Sequence, residues 1–368
     1  MSGILEKEQS IPVYILSGFL GSGKTTLLVK LIEHWKNQNL RPAVVMNELG
    51  EVNLDGQIVD EAVPMAEMLG GCICCTVRGD LGIQLADLVQ EESPDIIVIE
   101  ATGAANPMEI LDAVTETSLY MRLELKSLIT VVDAAHLAGL YSEQKGKTFK
   151  LMQEQIRCAS VLLLNKTDRV QAQQLQELEL LLNKWNGFAP VIPSIRCEVN
   201  VEHLLHTGTD VHLQQPAEAA GASQLEHAAE SHVHTEACHT HGCSHNHDHA
   251  HEHVEGHHHE HSSKAHTSHE HVMVYTHYFE KPVNSEAFEQ FVAALPRDIY
   301  RAKGILSFSD TASRFWFQYA YRESDYMKIT PQGDVPNVAV FIGEHFDQTR
   351  IREKLLELEA ANIMNELK

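Results

Sequence analysis

The sequence predicts an α/β chain with a mostly parallel sheet, followed by a polar segment and a smaller α+β unit. Three observations carry this. Short apolar runs alternate with helix-periodic segments from residue 11 to about 205, the pattern of strands and crossover helices in a parallel sheet. A glycine-rich turn separates the first such strand from the first helix, and the composition changes abruptly near Thr207 before strand-like alternation resumes near His271. The expected units are therefore 11–206, 207–270 and 271–368.

The first strand, Val13-Tyr14-Ile15-Leu16, runs into Gly18-Phe19-Leu20-Gly21-Ser22-Gly23-Lys24-Thr25-Thr26, which fits G-x-x-x-x-G-K-[ST]. A helical pattern from Thr25 to Trp35 follows. In that context the motif is a phosphate-binding loop: Gly18, Gly21, Ser22 and Gly23 let successive backbone N–H groups face a polyphosphate at a helix N-terminus. Lys24 is expected to reach the β- and γ-phosphates, with the Thr25 hydroxyl on Mg²⁺ and Thr26 completing the cradle. The fold class is thus a P-loop NTPase.

Composition narrows the classes. The formal net charge is −23 with histidines neutral, which disfavours a nucleic-acid partner, because phosphate neutralisation needs clustered cations. No stretch approaches the length of a transmembrane helix and none resembles a signal peptide, so a cytoplasmic protein with no membrane partner is expected. Of the 24 histidines, 16 fall between His232 and His271.

The second strand, Pro42–Met46, leads to Asn47-Glu48-Leu49-Gly50-Glu51 and a polar loop over 52–60. A switch segment is expected here, with Glu48, Glu51 and Asp55 as carboxylates in reach. Next comes Gly70-Gly71-Cys72-Ile73-Cys74-Cys75. Three thiols in four residues after two glycines suit a soft or borderline cation such as Zn²⁺ or Cu⁺ better than core filling. Cys158 and Cys197 stand alone and read as small buried hydrophobes.

A helix over Asp80–Gln90 precedes the buried strand Asp95–Glu100, which ends in Glu100-Ala101-Thr102-Gly103. Glu100 is expected in the Mg²⁺ shell through a water, or positioning the attacking water, and the Gly103 N–H at the γ-phosphate. Strands at Ser127–Asp133 and Ser160–Leu164 lead to Asn165-Lys166-Thr167-Asp168, the pattern N-K-x-D. The Asp168 carboxylate can accept from both N1–H and the exocyclic amine of guanine, which adenine cannot offer, and the Lys166 stem would lie along the base. Val170–Trp185 reads as a covering helix and Ala189–Ser194 as the last strand and loop of this unit.

The 207–270 segment is rich in Gln, Ala, Glu, Ser and His and lacks the apolar residues of a core. His239, His241, His245, His247, His249, His251 and His253 lie at mostly alternate positions among carboxylates, suiting loose capture of divalent cations. From Val272, strands at 272–279, 299–309, 313–321 and 338–343 and helices at 285–295 and 349–368 predict an antiparallel sheet with helices on one face. The other face would be exposed and could dock a client protein. Arg301-Ala302-Lys303-Gly304 reads as a solvated basic turn.

Together these motifs, the Cys loop, the His-rich insert and the C-terminal unit resemble the CobW-type GTPases, metallochaperones of the SIMIBI class, over nearly the whole chain. The resemblance implies a GTPase, a hydrolase acting on acid anhydrides, with slow turnover coupled to metal delivery. It also implies Cys72, Cys74 and Cys75 as metal ligands, with Glu51 as a further one. The single chain with a His-rich insert is most similar to the zinc-homeostasis members, of the bacterial YciC kind. The implied ligands are GTP, Mg²⁺ and Zn²⁺, with Co²⁺ as the variant metal. The implied partners are a client metalloprotein on the C-terminal domain and a second copy in a nucleotide-dependent homodimer. Two alternatives are cobalt delivery for cobalamin or nitrile hydratase assembly, and a zinc buffer or sensor whose GTP regulates protein contacts.

Overall fold

Seven parallel strands form the first sheet, and its centre is set by the most apolar runs. The computed structural model describes residues 10–46, 63–67, 77–143, 146–207, 271–320, 322–331 and 333–366. Glu48, Glu51, Asp55, the three clustered cysteines and the seven histidines of the tract lie outside the described residues.

β1 (Ile11–Ser17) leads through the glycine loop into α1 (Lys24–Asn37). β2 (Pro42–Met46), β3 (Met65–Glu67), α2 (Val77–Glu92) and β4 (Ile96–Glu100) follow. Then come α3 (Pro107–Thr117), β5 (Leu123–Asp133), α4 (Ala134–Glu143), α5 (Lys147–Arg157) and β6 (Val161–Asn165). α6 (Ala172–Trp185), β7 (Val191–Pro193) and α7 (Val201–Thr207) complete the segment. The strand order is β3-β2-β4-β1-β5-β6-β7, parallel throughout. β2, β4 and β6 are buried nearly throughout and β1 over its C-terminal half, as strands covered on both faces must be. Two apolar layers result: Leu27, Leu31 and Trp35 of α1 pack on one face, and Leu81, Leu85, Ile110 and Val114 of α2 and α3 on the other.

β8 (Val272–Tyr278), α8 (Ser285–Ala293), β9 (Ile299–Ser307), β10 (Arg314–Ala320), β11 (Glu323–Ile329), β12 (Val338–Glu344) and α9 (Gln348–Glu366) form the second sheet and its helices. Its order is β11-β10-β9-β12-β8, all antiparallel. Side chains alternate across a strand, and β12 obeys this. Ala339 and Phe341 pack with Phe288, Ile351 and Leu355 of the helices. Val338, Val340 and Ile342 join the same apolar cluster as Leu111, Val114 and Leu128 of the first sheet's side.

This corrects the expectation of a free sheet face. The second face is covered from within the chain, and the described residues up to 207 and from 271 onward belong to one compact unit. The basic turn is corrected too. Arg301 and Lys303 lie inside β9; Arg301 Nη1 donates to both Asp112 carboxylate oxygens at 2.7 and 2.8 Å, and Lys303 is only 7% exposed. The register puts Lys303 and Ile305 opposite Val340 and Val338, facing α3 rather than solvent.

Candidate nucleotide site

The loop ends that matter all leave the carboxyl edge of the first sheet, where α/β folds hold their ligands. β1 supplies the glycine loop, β4 ends in Glu100, β5 in Asp133, and β6 in Asn165. Central β1 lies between β4 and β5, so Glu100 and Asp133 flank the loop.

The glycines are needed for shape. Gly18 has φ 132° and a methyl there would sit 2.2 Å from the Val131 carbonyl oxygen; Gly23 has φ 114° and a methyl would meet Asn165 Nδ2 at 2.5 Å. Gly23 caps α1 in the left-handed conformation, and the first turn of that helix carries no acid. Its N-terminus is therefore electropositive and suited to an anion. Lys24 is 6% exposed and its ammonium donates to the Gly18 carbonyl at 3.0 Å and the Phe19 carbonyl at 3.3 Å.

Thr25 Oγ1 donates to Glu100 Oε1 at 2.9 Å. Burial pushes the Glu100 carboxyl above its usual range, opposed by the Thr25 hydrogen bond and the Lys24 charge. Its other oxygen, Oε2, is buried and has no hydrogen-bond partner among the described residues, and the same holds for Ser17 Oγ, Ser22 Oγ and Thr102 Oγ1. Leaving such a group unsatisfied costs about 1–3 kcal/mol. A hydroxyl and a carboxylate oxygen beside an anion cradle are the hard donors that Mg²⁺ takes, so these residues fit Mg²⁺ with a polyphosphate. Gly103 comes close to the loop, since a methyl on it would lie 2.4 Å from the Leu20 nitrogen.

Asn165, at the end of β6, is held within the fold. Only 2% exposed, it donates from Nδ2 to the Ser22 carbonyl at 2.8 Å, while Oδ1 accepts from the Cys197 N–H at 3.0 Å and the Ser194 hydroxyl at 3.2 Å. It ties the glycine loop to the β7 loop from beneath. Lys166, at φ 60°, donates to the Gly21 carbonyl at 2.6 Å and to Asp133 Oδ2 at 2.7 Å. Burial acts to raise the Asp133 carboxyl, but the Lys166 hydrogen bond, the His136 and Ala135 N–H groups and the Lys166 charge outweigh it and hold it below its usual range. Asp168 lies exposed in a short 3₁₀ turn just beyond Lys166.

Three contributors escaped the sequence reading. Asp133 was visible only as a strand end. Cys197 is buried as expected, with burial pushing its thiol up to about 11, yet its backbone N–H also orients Asn165. Gln155 of α5 donates from Nε2 to the Gly103 and Ala105 carbonyls, both at 3.2 Å, and no local motif marks it. Among the described residues no group of three or more His, Cys, Asp or Glu is placed to hold a metal ion, and no helix is long and apolar enough to cross a membrane.

A glycine loop on a central parallel strand, with a lysine, a hydroxyl and a carboxylate converging on a helix N-terminus, defines a P-loop nucleotide-binding protein. The sequence matches the family described as "CobW/HypB/UreG, nucleotide-binding domain" over residues 12–193 and "Cobalamin synthesis protein cobW C-terminal domain" over residues 272–359. The chain belongs to the CobW family. It is 31% identical to the "Zinc-regulated GTPase metalloprotein activator 1" of Dictyostelium discoideum over 54% of this chain and 49% of that one. It is also 31% identical to the "Zinc chaperone YeiR" of Escherichia coli (strain K12), over 57% of this chain and 62% of that one. The match thus spans about half to three-fifths of the length of these relatives. The crystal structure of Zn(II)-bound YjiA GTPase from E. coli is 22% identical, covers 95% of this chain and 99% of that chain, and aligns with a TM-score of 0.42.

Proposed function

We propose that the chain is a GTP-hydrolysing zinc metallochaperone. The observation that carries the nucleotide part is the convergence of Lys24, Thr25 and Glu100 on the N-terminus of α1, with buried oxygens there that lack partners among the described residues. Asn165-Lys166-Thr167-Asp168 at the end of β6 favours guanine. In this reading Gly18, Gly21, Ser22, Gly23 and Thr26 cradle the phosphates with their backbone, and Lys24 leaves its two carbonyl partners for the β- and γ-phosphates. Thr25 and Glu100 hold Mg²⁺, which when bound neutralises the phosphate oxygens. Gly103 offers its N–H to the γ-phosphate, and Asp168 accepts from the guanine edge, with Lys166 along the base. Water attacks the γ-phosphorus, the bond to the β-phosphate oxygen breaks, and GDP and phosphate result.

The zinc part is supported by the names of the relatives and by the chemistry of the clustered thiols. Zinc is the cargo, held by Cys72, Cys74 and Cys75 with Glu51, while the histidine tract supplies loose sites. GTP can drive release to a client metalloprotein only if the two nucleotide states differ in zinc affinity. A tenfold difference needs only about 1.4 kcal/mol of coupling. The test is a chelator-buffered Zn²⁺ titration of the full chain with Mg²⁺ and either GDP or a non-hydrolysable GTP analogue. A difference of about tenfold in the tight site, abolished by Cys72→Ser, is the expected result. Equal affinities in the two states would defeat the delivery cycle.

A further inference from the structure

The segment that follows Glu100 runs from the nucleotide loop directly to the second sheet, and it is gripped at several points. At its start, Gln155 holds the Gly103 and Ala105 carbonyls. Gln155 is itself fixed, 1% exposed, with its own carbonyl accepting from the Thr130 hydroxyl at 2.8 Å. Two residues further on, the Arg157 carbonyl accepts from the His271 N–H at 2.5 Å, at the entry to β8. Asn106 then caps α3 by accepting from the Met108 N–H. Midway along α3, Asp112 receives Arg301 on both oxygens, and its carbonyl accepts from Lys303 at 3.2 Å. Beyond the helix, the Tyr278 hydroxyl accepts from the Leu123 N–H at 2.9 Å and faces the Ser118, Met121 and Leu123 carbonyls within 3.2 Å.

We propose that α3 is a rigid link through which the second sheet reads the nucleotide, with Gln155 as the positioning residue at one end and the Asp112–Arg301 pair as the coupling point. This rests on the nucleotide reading above. A γ-phosphate contact at Gly103 exists with GTP and not with GDP, so it can bias the position of the 103–105 turn. An eleven-residue helix does not absorb such a shift along its length. The shift therefore reaches Asp112, whose two-oxygen contact with one guanidinium nitrogen and backbone contact with Lys303 fix both direction and distance. Neither sheet contact is solvent-screened to the degree of a surface pair, since the Asp112 side chain is 7% exposed. By reciprocity the second sheet in turn biases nucleotide preference, so a client seated against it would alter GTP affinity relative to GDP.

The test compares hydrogen exchange in peptides covering β8 and β9 of the full chain with Mg²⁺ and either GDP or a non-hydrolysable GTP analogue, alongside titration of fluorescent forms of both. Exchange that differs between nucleotides in the parent, and a ratio of the two dissociation constants that moves at least threefold in Arg301→Met and in Gln155→Ala, is expected. Identical exchange at β8 and β9 with both nucleotides bound would overturn the link while leaving the nucleotide reading intact. Failure of either nucleotide to bind the parent would instead defeat the nucleotide reading. If Arg301→Met does not fold, Arg301→Lys, which loses the two-oxygen contact but keeps the charge, takes its place. An unchanged ratio there and in Gln155→Ala would make both residues merely structural and overturn the proposal.

Discussion

Gly23 has no room for a side chain, and the reason is Asn165. A methyl at Gly23 would meet the Asn165 amide at 2.5 Å and the Cys197 sulfur at 3.1 Å, on a backbone with φ 114°. Strained backbone of this kind costs about 1–3 kcal/mol, so Gly23→Ala is expected to lower stability by about that much and to abolish measurable nucleotide binding. Urea unfolding and a fluorescent-GDP titration read the two effects separately. Asp168 sits at the opposite extreme, exposed and with no side-chain hydrogen bond or ion pair among the described residues. Asp168→Ala is expected to leave urea stability unchanged and to lose about 10- to 100-fold of the preference for GTP over inosine triphosphate, the worth of a hydrogen bond to a charged group. Inosine lacks the exocyclic amine, so a variant that still discriminates would show that another residue reads the base.

At the scale of elements, Tyr278 is the clearest tie between the two sheets, and among the described residues its hydroxyl meets backbone groups of the 118–123 turn. Tyr278→Phe removes the hydroxyl that accepts from the Leu123 N–H, which keeps the Met121 carbonyl at 2.9 Å as a second partner, so the expected cost is about 0.5–1.5 kcal/mol, measured by thermal unfolding. Within the second sheet's own segment, Glu359 ties α9 to β8 and to the turn after it. Its Oε1 accepts from the Glu280 N–H at 2.6 Å and the Lys281 N–H at 3.2 Å, and Oε2 pairs with His277 Nε2 at 3.3 Å. Burial acts to raise this carboxyl; the His277 hydrogen bond, the Glu280 N–H, the His277 charge and the Lys281 N–H outweigh it and lower it below its ordinary value of 4.5. A depressed carboxylate stabilises the fold above its unfolded value, and that stability is lost as pH falls through the folded one. Glu359→Gln should thus flatten the decline in stability below about pH 4.5. An identical acid limb in parent and variant would show that Glu359 carries none of it.

Legibility followed the same physics. Apart from the three-residue edge strand β3, the strands of the first sheet were readable because burial makes them continuous apolar runs, as in Val161-Leu162-Leu163-Leu164, and the loops at their ends because glycine and charged signatures have few other uses. α3 escaped although Asn106-Pro107 is a cap signal, and β11 escaped because an edge strand reading Glu-Ser-Asp-Tyr-Met-Lys-Ile is exposed along most of its length. Arg301 and Lys303 looked solvated because their acceptors lie on α3, about 190 residues away, and no local pattern encodes a partner at that separation. Gln155 was hidden for the same reason. The burial of Asn165 was hidden because a motif names a residue type and not the direction in which its amide points.

At the scale of the whole molecule, one apolar cluster includes both Val13 and Ile15 of β1 and Val338, Val340 and Ile342 of β12. Residues that share a core lose their contacts together, so the described parts of both sheets should unfold as one cooperative unit. A ligand that binds only the folded state at about 100 times its dissociation constant adds about 2.7 kcal/mol. If unfolding is cooperative, saturating GDP raises protection against hydrogen exchange by the same free energy in β4 and in β12, although only the β4 side touches the nucleotide loop. Ile342→Ala, at a position with 0% exposure, should lower protection in β4 as well as in β12, by about 2–5 kcal/mol. Loss confined to β12, or a GDP effect confined to the first sheet, would mean that the two sheets open independently. The Arg301 and Tyr278 contacts would then break before the first sheet unfolds, and α3 could no longer hold both sheets to one position.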